Sequence, residues 1–211
     1  MTLKQFLNTS YTAFHTVANV ADMLEAQQFE QISLDNAPQL QRGGKYYVTE
    51  NGSSIVAFVV GNNNVFNIVE SHTDSPSFKV KGDKTIDGNG VVRLNTEKYG
   101  GGLMYTFFDR PLKIAGRLLV KTPDGVAERL VASDYNVVIP SLCIHHNPTA
   151  NEGFAVNAQI DTLPLFATSE SNLYESLTDE EVLDADLFVV PDTAAFQAGV
   201  NNEFLCSARI D

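Results

Sequence analysis

From residue 102 to residue 158 the chain shows no long helical stripe, only short apolar and β-branched runs broken by turn residues. The runs are GLMYTFFD (102–109), KIAGRLLVKT (113–122), ERLVASD (128–134), NVVIP (136–140) and GFAVNA (153–158). Pro123 followed by Asp124-Gly125 favours a chain reversal between two of them. Short strands at such close intervals predict an all-β module, either a barrel or a sandwich.

The flanks read differently. Phe6, Leu7, Phe14, Val17, Val20, Ala21 and Leu24 recur at helical spacing, while Asn8, Thr9 and Ser10 compete for backbone hydrogen bonds, so residues 3–28 predict two helices with a turn between them. Strands follow at KYYVTE (45–50), SIVAFVVG (54–61) and NVFNIVES (64–71), the last two joined by a hairpin signal at 61–64. NVFNIVE alternates poorly, which suits a strand central to a sheet. Glycine is frequent from 80 to 102, residues 170–186 read as a short helix or loop, and DLFVVPD (186–192) and EFLCSARID (203–211) read as closing strands. The chain thus begins α/β and turns β-rich near residue 85.

Charge narrows the partners. The formal net charge is -12, from 14 basic and 26 acidic residues, which argues against nucleic acid and against an anionic membrane surface. The opening MTLKQFLNTS lacks the basic end and apolar run of a signal peptide, and no stretch reaches the apolar length of a membrane span. Cys143 and Cys206 sit in apolar settings, SLCIH and FLCSA, and read as small hydrophobes. These features point to a cytoplasmic protein.

ESHTDSPSFKV (70–80) raises the chemical question. In an extended chain His72 and Asp74 share a face, and a carboxylate can ligate a metal or hold the free N–H of a ligating imidazole. The same residues also suit a satisfied histidine near a turn, with Asp74 capping Ser75-Pro76. Spacing alone favours this second reading, because an isolated His-x-Asp lacks the specificity of HExxH.

ESHTDSPSFKVK closely resembles the first metal-binding motif of the aspartyl aminopeptidase-like zinc metallopeptidases. YTAFHTV (11–17), EKYGGGLMYTFFDRPLKIAGRLLVK (97–121), IPSLCIHHN (139–147), TLPLFAT (162–168) and NEFLCSARID (202–211) resemble further blocks of that family, in its order. The resemblance implies an α/β catalytic domain, a helix-flanked mixed sheet here incomplete, with an inserted β-rich dimerisation domain. The implied boundaries are 1–84 for the first catalytic part, 85–190 for the dimerisation domain and 191–211 for the return. It also implies His72 as a metal ligand, Asp74 as the carboxylate that orients and polarises it, and Asp211 as the carboxylate bridging two metals. His145 corresponds to a histidine that reaches into the partner subunit's active site, although a plain loop histidine remains open. His15 reads as structural, and Asp109 and Arg110 as an ion pair or interface contact.

The family's pattern continues past Asp211 with an asparagine, a glutamate pair, an aspartate and a histidine. A two-metal hydrolytic site needs those ligands and the base. The full site would hold two zinc ions, with cobalt or manganese as alternatives, and would remove N-terminal residues, acidic ones in some relatives, from peptides. The expectation is that this chain is an incomplete and inactive portion of such an aminopeptidase, forming homo-oligomers through its β-rich domain. The alternative is a non-catalytic β-rich dimerisation or interaction module.

Overall fold

A computed structural model describes residues 1–36, 38–63 and 65–208 of the chain. The chain divides into two compact units, Met1–Asp74 and Ser75–Asp211.

In the first unit, helices α1 (Leu3–Thr9) and α2 (Ala13–Glu25) precede strands β1 (Glu30–Gln31), β2 (Lys45–Glu50) and β3 (Ser54–Val59). Thr2 and Gln5 close a capping box at the start of α1, satisfying backbone donors that a helix start leaves orphaned. The break between the helices has the cause the polar triplet implies. Thr9 Oγ1 donates back to the Gln5 carbonyl at 3.0 Å, and the Asn19 amide reaches Thr9 Oγ1 and Ser10 Oγ at 3.0 and 3.1 Å. Phe14 and Val17, one helical turn apart, carry the buried stripe of α2. The three strands form a sheet in order β1-β2-β3, with β2 and β3 a hairpin whose turn places Asn51 and Gly52 at positive φ. Tyr47 on β2 is buried, and its hydroxyl donates to Glu25 of α2 at 2.6 Å.

In the second unit, β4 (Ser77–Gly88), β5 (Val91–Tyr99), β6 (Leu112–Thr122), β7 (Gly125–Ala132), β8 (Leu165–Ala167) and β9 (Val182–Pro191) form one antiparallel sheet in order β7-β6-β9-β4-β5-β8. A separate hairpin, β10 (Phe196–Ala198) with β11 (Phe204–Cys206), closes the described chain. The Pro123-Asp124 reversal joins β6 to β7, where Thr122 pairs with Gly125. Strand alternation sorts the two faces of the six-stranded sheet. Phe78, Leu94, Ile114, Leu118, Leu187 and Val189 are buried on one face, where Phe107, Val137, Ile139 and Leu173 from the connections join the cluster. The opposite face carries a polar ladder across four strands. Lys79 and Arg117 bind the two Asp186 oxygens at 3.1 and 3.0 Å, and Arg117 also binds Glu128 at 3.1 Å. Burial alone would raise the Asp186 carboxyl, but hydrogen bonds from Arg117 and Lys79 outweigh it and hold it below the usual aspartate value.

Several sequence expectations are corrected here. Of residues 64–71, read as a central strand, residue 64 lies outside the described residues and 65–71 carry no assigned strand and are exposed throughout. GLMYTFFD forms a 3-10 turn, Met104–Phe107, rather than a strand. NVVIP makes only isolated bridges to Phe108, Leu112 and Leu165, and residues 153–158 hold no strand. The glycine-rich stretch from 80 to 102 contains most of β4 and all of β5, long strands that its composition concealed. Cys143 is exposed rather than packed as a hydrophobe, while Cys206 is half-buried, and both are free thiols. Among the described residues, no helix is long and apolar enough to cross a membrane.

Candidate functional site

The motif at 72–76 is set by local bonds rather than by a strand. Thr73 Oγ1 donates to the Ser53 carbonyl at 2.7 Å, tying the motif to the β2–β3 turn. On either side of that anchor, His72 and Asp74 meet. His72 Nδ1 lies 2.8 Å from the Asp74 carbonyl oxygen and 3.1 Å from its Oδ1. A ring nitrogen facing two acceptors carries the proton, so Nε2 is the nitrogen with the lone pair a metal would use. The pair is well exposed, with 61% and 40% of the two side-chain surfaces open. Strand geometry is therefore not what brings the imidazole and carboxylate together; a bend at Thr73 does.

Pro76 ends the motif and β4 begins at the next residue. A Cβ added at Gly102 would lie 2.4 Å from Pro76 Cβ, and Gly100 takes φ +78° beside the same ring. The glycines of YGGGL thus make the seat for this proline.

His145 lies in the second unit, in an exposed turn over residues 144–146 within the long connection from β7 to β8. Its neighbour His146 places Nδ1 3.5 Å from Cys143 Sγ. The start of this loop is pinned by Asp109, whose Oδ1 accepts the Ser141 backbone N–H at 2.8 Å. Hydrogen bonds from Ser141 lower the Asp109 carboxyl from its usual value. Sequence reasoning gave Asp109 an ion pair or interface contact; its visible work is to hold the loop that carries His145. Its φ of +55° marks a sharp corner that aspartate tolerates better than most residues. Beside this loop, a cleft of about 460 Å³ is lined by Phe108, Leu142, Phe154, Ile160 and Leu163, with Arg93 and Asp161 among its polar groups.

His15 has the structural role expected, with Nδ1 2.9 Å from Thr12 Oγ1 and its ring edge-on to Tyr11 at 5.5 Å. Asp211 lies outside the described residues. Among the described residues, no group of three or more His, Cys, Asp or Glu side chains converges to hold a metal ion. The His72–Asp74 pair fits a zinc site as one corner, because a ligating histidine commonly donates its other N–H to a carboxylate or carbonyl. It does not close a site by itself, since zinc commonly takes three or four protein ligands.

A family model described as aminopeptidase I zinc metalloprotease (M18) matches residues 6–211. The chain belongs to the M18 family. It is 36% identical over 229 residues to "Probable M18 family aminopeptidase 2" of Clostridium acetobutylicum, covering 99% of this chain and 53% of that protein. The protein of the same name from Pseudomonas aeruginosa is 37% identical over 230 residues, with the same coverage. The chain therefore spans about half the length of the curated relatives it matches. Among solved structures, the cryo-EM structure of the Ape4 and Nbr1 complex superposes with TM-score 0.85 at 31% identity, covering 96% of this chain and 45% of that one. An M18 aminopeptidase from Thermotoga maritima shares the fold at TM-score 0.74 and 22% identity, covering 94% and 48%. The mixed, largely β-sheet fold is thus of the M18 aminopeptidase type.

Proposed function

We propose that this chain supplies one part of an M18 aminopeptidase active site and is non-catalytic on its own. The observation that carries this reading is the bend in which Asp74 accepts a hydrogen bond from His72 Nδ1–H, which leaves Nε2 as the nitrogen whose lone pair a metal would use. In the complete site His72 would hold one zinc ion and Asp211 would bridge two. Bound zinc would supply an activated water and a Lewis acid toward a peptide carbonyl. Asp74 keeps the imidazole in the Nδ1–H tautomer and raises its basicity. His145, carried on its exposed turn, would help hold the substrate in the partner subunit's site.

On this reading residues 1–84 begin the catalytic domain, 85–190 form the dimerisation domain of a homo-oligomer, and 191–211 return to the catalytic domain. The substrates are peptides, with acidic N-terminal residues the first class to try. A second reading, a non-catalytic β-rich interaction module, is favoured by the lack of a converging ligand group among the described residues.

Fusing this chain to the second half of the Clostridium acetobutylicum relative separates the two. The first reading expects zinc-dependent release of the N-terminal residue from aspartyl or glutamyl peptides by the fusion, and none by the chain alone. A fusion that folds and takes up zinc but cleaves nothing supports the module. Appreciable cleavage by the isolated chain overturns the first reading.

A further inference from the structure

Cys143 and His146 form a nucleophile and base pair that the proposed peptidase chemistry does not use. Residues 144–146 make a single turn, in which the N–H groups of His146 and Asn147 both donate to the Cys143 carbonyl, at 2.9 and 3.1 Å. A turn of this kind sets side chains three residues apart on one side, and Cys143 Sγ lies 3.5 Å from His146 Nδ1. The approach to the turn is fixed separately, by the bond from the Ser141 N–H to Asp109. Other side chains of the same types supply the comparison. His15 and His72 spend a ring nitrogen on Thr12 and Asp74, whereas His146 turns one to a thiol. Cys143 is exposed, while Cys206 on β11 is half-buried and has no hydrogen bond to an imidazole among the described residues. One thiol and one imidazole are too few protein ligands to hold zinc, so the pair suits thiol chemistry better than a metal. A thiol attacks as its thiolate, and an adjacent imidazole that takes the proton favours that form.

We propose that Cys143 is a reversible modification site, activated by His146, that reacts with low-molecular-weight disulfides. With its own proton on Nε2, the His146 ring accepts the Cys143 thiol proton at Nδ1. The thiolate attacks one sulfur of the disulfide. A new S–S bond to Cys143 forms as the reagent's S–S bond breaks, and the other half leaves as a thiolate that takes up a proton. Cys143 is oxidised and the departing sulfur reduced, so the reagent is the whole oxidant, and excess free thiol reverses the exchange. The adduct stands two residues from His145 on the same exposed loop. It would therefore obstruct the entry of this loop into a partner subunit's site; that consequence alone rests on the role proposed for His145.

The test treats the intact chain with 2-hydroxyethyl disulfide at neutral pH and follows the adducts by peptide mass. The reagent is uncharged, so the net charge of -12 does not steer it. The reference is the synthetic peptide IPSLCIHHN, the same thiol without the folded turn. The proposal expects the first adduct at Cys143, formed at least about tenfold faster than on the peptide or at Cys206, and removed by dithiothreitol. His146→Gln should bring Cys143 down to the peptide rate and leave the melting unchanged, because His146 is exposed. The proposal is overturned if Cys143 in the folded chain reacts at the peptide rate, since exposure alone then accounts for it, if His146→Gln reacts as fast as the parent, or if Cys206 reacts first. Peptidase activity enters none of these rates. A slow Cys143 leaves the aminopeptidase reading untouched, and a fast one stands even if a zinc-loaded fusion cleaves nothing.

Discussion

Gly116→Ala is the substitution whose cost the sheet makes most definite. Gly116 lies on β6 opposite Leu187 of β9. A Cβ built there would fall 1.9 Å from the Asp186 carbonyl oxygen and 3.0 Å from Leu187 Cα. These are backbone atoms, so no side chain can swing away. Ordinary contact requires the strands to part by roughly 1.5 Å, enough to take the local ladder bonds beyond hydrogen-bond range. Overpacking of this kind costs about 1–3 kcal/mol, and each weakened ladder bond adds about 1 kcal/mol. The lost chain entropy of the unfolded state returns at most about 1 kcal/mol. The clash therefore wins, by about 2 kcal/mol or more, which lowers Tm by roughly 4–8 °C for a chain of this size. The assay is a far-UV melt of the variant beside Gly101→Ala, whose added Cβ would meet nothing within 4 Å. The control should melt like the parent. Gly116→Ala melting within about 1 °C of the parent would refute the close approach of β6 to β9.

Three further outcomes follow from named contacts. Asp186 has its folded value depressed, so its stabilisation is whole above the usual aspartate value near pH 4 and is lost as pH falls through the lower folded value; a Tm-versus-pH scan should show that acid limb, and Asp186→Asn should flatten it. Tyr47 is pushed up to about 12, first by its hydrogen bond to Glu25, then by burial and by the Glu25 and Asp22 charges. Its contribution is therefore whole below about pH 10 and lost as pH rises toward 12; Tyr47→Phe should delete one late phenolate step in an ultraviolet titration and cost about 1 kcal/mol by urea midpoint. Asp109→Ala should speed hydrogen exchange at Ser141 and cost about 1 kcal/mol, whereas Asp109→Asn, which keeps an acceptor oxygen and tolerates positive φ, should be nearly neutral.

Helices α1 and α2 and strands β2, β3 and β6 were legible because their residue patterns are local, whereas the hairpin signal was read at 61–64 and the hairpin the structure shows joins β2 to β3 through Asn51 and Gly52. The hidden elements depend on distant partners. β4 mixes Lys, Asp, Thr and Gly with its few apolar residues, with Lys79 in the charged ladder, and β5 (VVRLNTEKY) places two valines side by side before a polar stretch, so no clean apolar alternation announces either. NVFNIVE has the opposite character. Its residues are those of a buried strand, but pairing is not a property of one segment, and the described residues offer no ladder for it. At the site, family resemblance singled out His72 and Asp74, and the structure brings them together. Strand logic gave the wrong reason, since a bend anchored by Thr73 does it. Thr73 carried no signal of its own, because a threonine hydroxyl bonded to a carbonyl across a hairpin is invisible in composition. Asp109 was visible as part of a family block, but its bond to Ser141 spans thirty-two residues and only the folded chain shows it.

The central claim is that the His72 imidazole, aimed by Asp74, is a zinc ligand. It is tested most directly by the zinc content of this chain fused to the second half of the Clostridium acetobutylicum relative, with His72 intact and as His72→Ala. The account predicts that the parent fusion retains zinc through dialysis, that His72→Ala loses at least one ion per chain, and that the two proteins stripped of metal melt alike. Equal zinc in the two proteins would contradict it.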